Sequence, residues 1–188
     1  MKRIFLFLVL MAIPAVSSAI PAKAISLSNL APLQNQWHWA HALRLFSNKD
    51  AQWISSTSSF RTNGHEAFEG IPNDKAAVFD IELDVPYDDY YQFEVVADDT
   101  VFIYVESANR PRTVAVNNPN PVSYINAPVR LREGRARFVI ELQDEYASNS
   151  GVIFSVSDSS GRILVHSSSE WQAKEVSRSS LVCEKTFY

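Results

Sequence analysis

The chain has 188 residues, 46% of them hydrophobic and 20% charged, with one cysteine and a formal net charge of −4. Apolar content at this level excludes a disordered chain, and the length suits one well-buried domain with a short appendage. A single cysteine excludes an internal disulfide, a multi-cysteine metal site and a CxxC redox pair, and 17 basic against 21 acidic residues give no electrostatic footprint for nucleic acid.

Residues 1–24 differ from the rest. Lys2 and Arg3 precede an apolar run from Ile4 to Ile13, followed by Pro14 and small residues at Ser17-Ser18-Ala19 and Ala22-Lys23-Ala24. This is the pattern of a secretory signal peptide, with an apolar core shorter than the ~20 residues a spanning helix needs. Cleavage after Ala19 or after Ala24 fits equally. The expected product is periplasmic or secreted, has no membrane span once the leader is cut, and carries a net charge of −7 if cleavage follows Ala24. Export places Cys183 in a compartment where it stays a buried thiol or joins an intermolecular disulfide.

From Ile25 to Asp50 the segment is ambiguous. Pro32 can start a helix in which Leu33, Trp37, Ala40 and Leu43 share a face, while Leu43 and Leu45 also suit a short strand. Beyond Asp50 the period becomes two. In Phe79–Val85 every odd position is apolar and every even one acidic, which predicts a strand with one face in the core and one in water. Arg135–Leu142 repeats the pattern, with Ala136, Phe138, Ile140 and Leu142 inward and Arg135, Arg137 and Glu141 outward, Val139 breaking it mildly. Tyr90–Ala97 and Thr100–Glu106 are apolar on both sides, as in the middle of a packed sheet, and the sequence predicts a hairpin between them at Asp98-Asp99. Further strands are predicted at Arg112–Val116, Val122–Leu131, Gly151–Ser157 and Arg162–His166, separated by turn clusters. About eight short strands argue for an antiparallel two-sheet β-sandwich at 51–173, with an N-terminal, partly helical segment at 25–50 and a tail at 174–188.

Several landmarks stand in a familiar order: Trp53-Ile54, the strand Phe79–Val85, the run Val95-Val96-Ala97-Asp98-Asp99 leading into Val101–Val105, then Gly151–Val156 followed by Asp158, Gly161 and Glu170-Trp171. Together they resemble the galactose-binding-domain-like β-sandwich, a jelly roll found as an accessory module of glycoside hydrolases and in surface and assembly proteins. The resemblance covers roughly Ala51–Ala173. It departs after Val105, where Glu106-Ser107-Ala108-Asn109-Arg110-Pro111 replaces the family's usual Asn-Gly turn. In such a fold Trp171 is expected to cap the core near Trp53.

Candidate chemistry is sparse. There is no GxSxG elbow and no HExxH. His166 beside Ser167-Ser168-Ser169 offers a Ser–His pair against the plainer reading of a turn, His38 and His41 offer a metal pair against a half-buried aromatic stripe, and His65 reads as a loop residue. Asp84, Asp88 and Asp89 around Pro86-Tyr87 are hard oxygen ligands suited to a structural calcium, or simply turn residues. Tyr87 and Tyr90 offer flat faces for a sugar ring, with Asp88, Asp89, Asn109 and Arg110 to bond its hydroxyls, whereas Tyr91 is in phase with the core. Arg130, Arg132, Arg135 and Arg137 form a positive strip if they share an outer face, and with Cys183 they are the candidates for a protein partner. No cofactor is implied beyond calcium. The expectation is an exported non-catalytic module, a protein-interaction subunit of a cell-envelope or surface assembly such as a secretion apparatus, pilus or adhesin. The alternative is a carbohydrate- or glycan-binding module.

Overall fold

The computed structural model describes residues 19–27, 44–62, 65–107, 110–118, 124–146 and 148–185. The helix expected from Pro32, with His38 and His41, lies outside them, as does Asn109. The described residues form an antiparallel β-sandwich of two sheets. The first runs in the order β1 (Ile20–Pro21), β14 (Gln172–Ser177), β6 (Lys75–Val85), β11 (Gly134–Gln143), β8 (Thr100–Ser107), β9 (Arg110–Asn118). The second runs β10 (Ile125–Leu131), β7 (Asp89–Asp98), β12 (Gly151–Ser157), β3 (Gln52–Ser55), β2 (Lys23–Ser26), with β13 (Ile163–His166) also paired to β12. A small hairpin, β4 (Ser59–Thr62) and β5 (His65–Phe68), stands apart from both, so His65 falls in a strand rather than a loop. Helix α1 (Arg178–Lys185) follows β14 and contains Cys183.

Alternation decides which side chains meet between the sheets. From β6 come Ala77, Phe79 and Val85, from β11 Ala136, Phe138, Ile140 and Leu142, from β7 Tyr91, Phe93 and Val95, and from β12 Val152, Phe154 and Val156. Phe93, Phe138 and Phe154 form a triangle with ring centroids 5.6 to 6.3 Å apart, and Trp171 meets Phe154 at 6.1 Å. Each such fully buried ring contributes about 1.5–3 kcal/mol from apolar surface removed from water.

The second sheet is apolar on its outer face too. Ile25, Phe46, Ala51, Trp53, Phe68, Val96 and Ile153 make a separate buried cluster there. β7 is therefore covered on both faces at its Val95–Ala97 end, while Tyr90 near its start stays exposed. Trp53 and Trp171 consequently do not meet as expected: neighbouring positions on β3 point opposite ways, so Ile54 enters the main core while Trp53 joins the outer cluster.

The expected hairpin at Asp98-Asp99 is a corner between sheets. β7 pairs with β10 and β12, β8 pairs with β9 and β11, and the two strands do not pair with each other. The Asp98–Asp99 peptide bond is cis. A second corner at Arg132-Glu133 takes the chain from β10 to β11, also in opposite sheets, and Gly134 there has φ 109°, a conformation that glycine adopts without side-chain strain. The sheets also reach beyond the expected 51–173, because β1 and β2 lie upstream and β14 ends at Ser177.

Candidate functional site

On the outer face of the second sheet the apolar cover over Val96 and Ile153 gives way, towards Tyr90, to an array of polar side chains. Antiparallel register puts Tyr90 opposite Arg130, Gln92 between Pro128 and Ser157, and Glu94 between Asn126 and Ser155, with His166 opposite Ser155. Directly opposed residues share a face, so these side chains form three rows on one surface. Glu94 is buried beneath Ser47 and Tyr124. Its carboxylate accepts hydrogen bonds from the Ser47 amide at 3.2 Å, from the Ser47 hydroxyl, and from the Tyr124 hydroxyl at 2.6 Å. Burial and the Glu94 bond push the Tyr124 phenol up to about 12. Asn126 Nδ2 donates to Tyr124 Oη at 3.1 Å, and Gln92 Nε2 donates to Asn126 Oδ1. Each member thus orients the next, and a side-chain network satisfied in this way is rigid. Tyr90 ends the surface with 59% of its area exposed, facing the exposed Arg130.

Tyr87 belongs elsewhere. Its hydroxyl donates to Asp158 Oδ2 at 2.9 Å, its ring lies 6.0 Å from that of buried Tyr91, and the Tyr91 hydroxyl donates to the Tyr87 carbonyl at 2.8 Å. The bond to Asp158 raises the Tyr87 pKa. Asp158 also accepts from the Ser160 hydroxyl at 2.6 Å and the Ser160 and Arg162 amides at 3.0 Å, and the Arg162 guanidinium lies 3.1 Å away. The Ser160 hydroxyl first, then Tyr87 and the amides, hold the Asp158 carboxyl far below the usual carboxylate range in spite of burial. Tyr87 is therefore part of a clamp that closes one end of the sandwich.

The acidic candidates do not converge. Asp84 lies opposite Arg135, Asp88 accepts from the Glu133 amide at 2.7 Å, and Asp89 accepts from the Ser159 hydroxyl at 3.0 Å. Among the described residues no group of three His, Cys, Asp or Glu side chains is arranged to hold a metal ion. The carboxylates that do crowd are at the β7–β8 corner. Burial, with Asp99 and then Asp144 nearby, pushes the Asp98 carboxyl up to about 8. Asp99 accepts from the Glu145 amide at 2.8 Å, and Asp144 from the Ile71 and Tyr146 amides at 3.1 and 2.9 Å.

The arginine strip does not form. Arg130 is on β10 and Arg135 and Arg137 are on β11, in opposite sheets, with Arg132 in the corner between. Arg135 pairs with Glu82 at 2.5 Å, and Arg137 bridges Asp80 and Glu106, the latter at 3.0 Å. An open depression of about 350 Å³ among Glu82, Leu83, Asp84 and Arg135 is part of this paired surface. Arg110 opens β9 and Cys183 lies in α1, neither brought to the polar face by its strand or helix. The Ser167 hydroxyl is committed to the backbone, donating to the Gln52 carbonyl at 2.6 Å and accepting from the Phe154 amide at 3.1 Å, so it is a structural tie between β3 and β12 rather than half of a Ser–His pair.

Gln92, Asn126 and Arg130 complete a surface of which the sequence marks only Tyr90 and Arg130 as exposed candidates. The missing signal is register, which no local pattern encodes.

No protein-family model matches the chain, and no curated protein matches it. Among solved structures the chain is similar to the PA14 domain of the antifreeze protein MpAFP, at 15% identity over 84% of this chain and 85% of that one, with a TM-score of 0.38. A likeness of this order carries no argument about the site. No helix among the described residues is long and apolar enough to cross a membrane.

Proposed function

We propose that the protein is an exported, non-catalytic binding module that recognises a glycan on the outer face of its second sheet. The observation that carries this is the ordered row Ser47–Glu94–Tyr124–Asn126–Gln92 leading to exposed Tyr90 and Arg130. A sugar offers an apolar C–H face and a rim of hydroxyls; an exposed phenol ring fits the first, and planar amides with a guanidinium fit the second. Preorganised polar groups lose little side-chain entropy on binding. Tyr90, Gln92, Asn126 and Arg130 are the proposed contacts, and the galactose-binding-like reading of the sandwich belongs with this proposal.

The reading as an interaction subunit of an envelope or surface assembly is weaker, since the positive strip that motivated it is divided between sheets and partly ion-paired. The two readings are separated by applying the mature protein to an array of plant, animal and bacterial glycans and, in parallel, by tagged purification from envelopes of its host. Selective retention on one sugar class supports the module. Array silence with stoichiometric co-purification of envelope proteins supports the subunit.

A further inference from the structure

The sequence offers two leader cleavage points, after Ala19 and after Ala24, and residues 20–26 bear on which is used. β1 pairs with β14 in the first sheet, Ile20 opposite Ala173 and Pro21 opposite Gln172. Two residues later β2 pairs with β3 in the second sheet, Lys23 opposite Ser55 and Ala24 opposite Ile54. Between them Ala22 is 4% exposed in the main core, and its amide donates to the Trp171 carbonyl at 2.8 Å. These seven residues stitch the two sheets together along one side, beside Trp171. Cleavage after Ala24 removes β1, the buried Ala22 and half of β2, and leaves β14 and the end of β3, Ile54-Ser55, as unpaired edges. Ala19 and Ile20 are exposed.

We propose that the mature chain begins at Ile20, a processing site that rests on the exported reading above. A signal peptidase adds water across the Ala19–Ile20 peptide bond, leaving a carboxylate on Ala19 and an ammonium on Ile20. Ser17 and Ala19 supply the small residues such an enzyme requires at the third and first positions before the cut. The product carries 15 basic and 21 acidic residues over 169 positions, a net charge of −6.

The test is intact-mass and N-terminal sequencing of the protein exported from the full-length chain in its own host. A chain starting at Ile20 is expected. A start at Ile25 overturns this proposal while leaving export intact, and an unexported chain retaining residues 1–19 overturns both. A second measurement compares purified chains starting at Ile20 and at Ile25. The shorter is expected to melt several degrees lower, and identical melting contradicts the stitching role.

Discussion

The indole of Trp53 lies across Gly151, so close that a Cβ at position 151 would stand 2.2 Å from Nε1 and 2.3 Å from Cε2. Gly151 opens β12 beneath the outer apolar cluster, and the absent side chain is what lets the ring approach the strand this closely. Gly151→Ala is expected to destabilise by about 1–3 kcal/mol through overpacking. Combining it with Trp53→Leu is expected to give a loss smaller than the sum of the two single losses, because the clash disappears with the ring. Urea denaturation of the four-member cycle reads the coupling directly, and strict additivity would contradict the contact.

Between pH ~4 and about 8 the β7–β8 corner makes stability fall as pH rises. Folding raises the Asp98 carboxyl from an ordinary value near ~4 to about 8, so across that window the folded chain holds a proton that the unfolded chain has released. Stability is fully present below pH ~4 and declines as pH rises through 8, at up to about 1.4 kcal/mol per pH unit. Asp98→Asn is expected to flatten this limb in melts recorded at several pH values.

Asp158 has the opposite sign. Its folded carboxyl is depressed, so its contribution is present above pH ~4 and is lost as pH falls further and the carboxylate clamping Ser160, Tyr87 and Arg162 is protonated. Acid melts of Asp158→Asn are expected to show a shallower decline than the native protein below pH 4, from a lower starting stability. Tyr87→Phe, which deletes one donor, is expected to cost about 0.5–1.5 kcal/mol without altering ligand binding.

The ion pairs on the outer face of the first sheet are solvent-accessible, so their removal is expected to matter little. Arg135→Ala is expected to cost less than about 0.5 kcal/mol, and Arg137→Ala, which loses both Asp80 and Glu106, about 0.5–1 kcal/mol, each shrinking in high salt. Urea midpoints at low and high ionic strength check this.

What the sequence reveals follows from which physics is local. Period-two alternation placed Phe79, Ile81, Leu83 and Val85 inward and Asp80, Glu82 and Asp84 outward, because the pleat alone dictates it. Alternation does not say which sheet a strand joins. Asp98-Asp99 between two apolar strands reads equally as a hairpin or as a corner, and the choice is made by pairing with β11 and β12, more than 35 residues away. For the same reason alternation leaves open whether Arg130 and Arg137 share a face, and the sheet order places them in opposite sheets. Tyr90 was legible as exposed because it is out of phase with Tyr91 and Phe93. The role of Tyr87 is not legible in this way, since its partner Asp158 lies 71 positions along the chain.

Titration of the mature protein with the sugar class that an array identifies, using native protein, Tyr90→Ala and Arg137→Ala in parallel, reads the proposed glycan site. Loss of one stacking ring is worth about 1–3 kcal/mol, so Tyr90→Ala is expected to weaken binding roughly ten-fold or more while Arg137→Ala binds as the native protein does. Undiminished binding by Tyr90→Ala, or an array that stays silent throughout, would contradict the account.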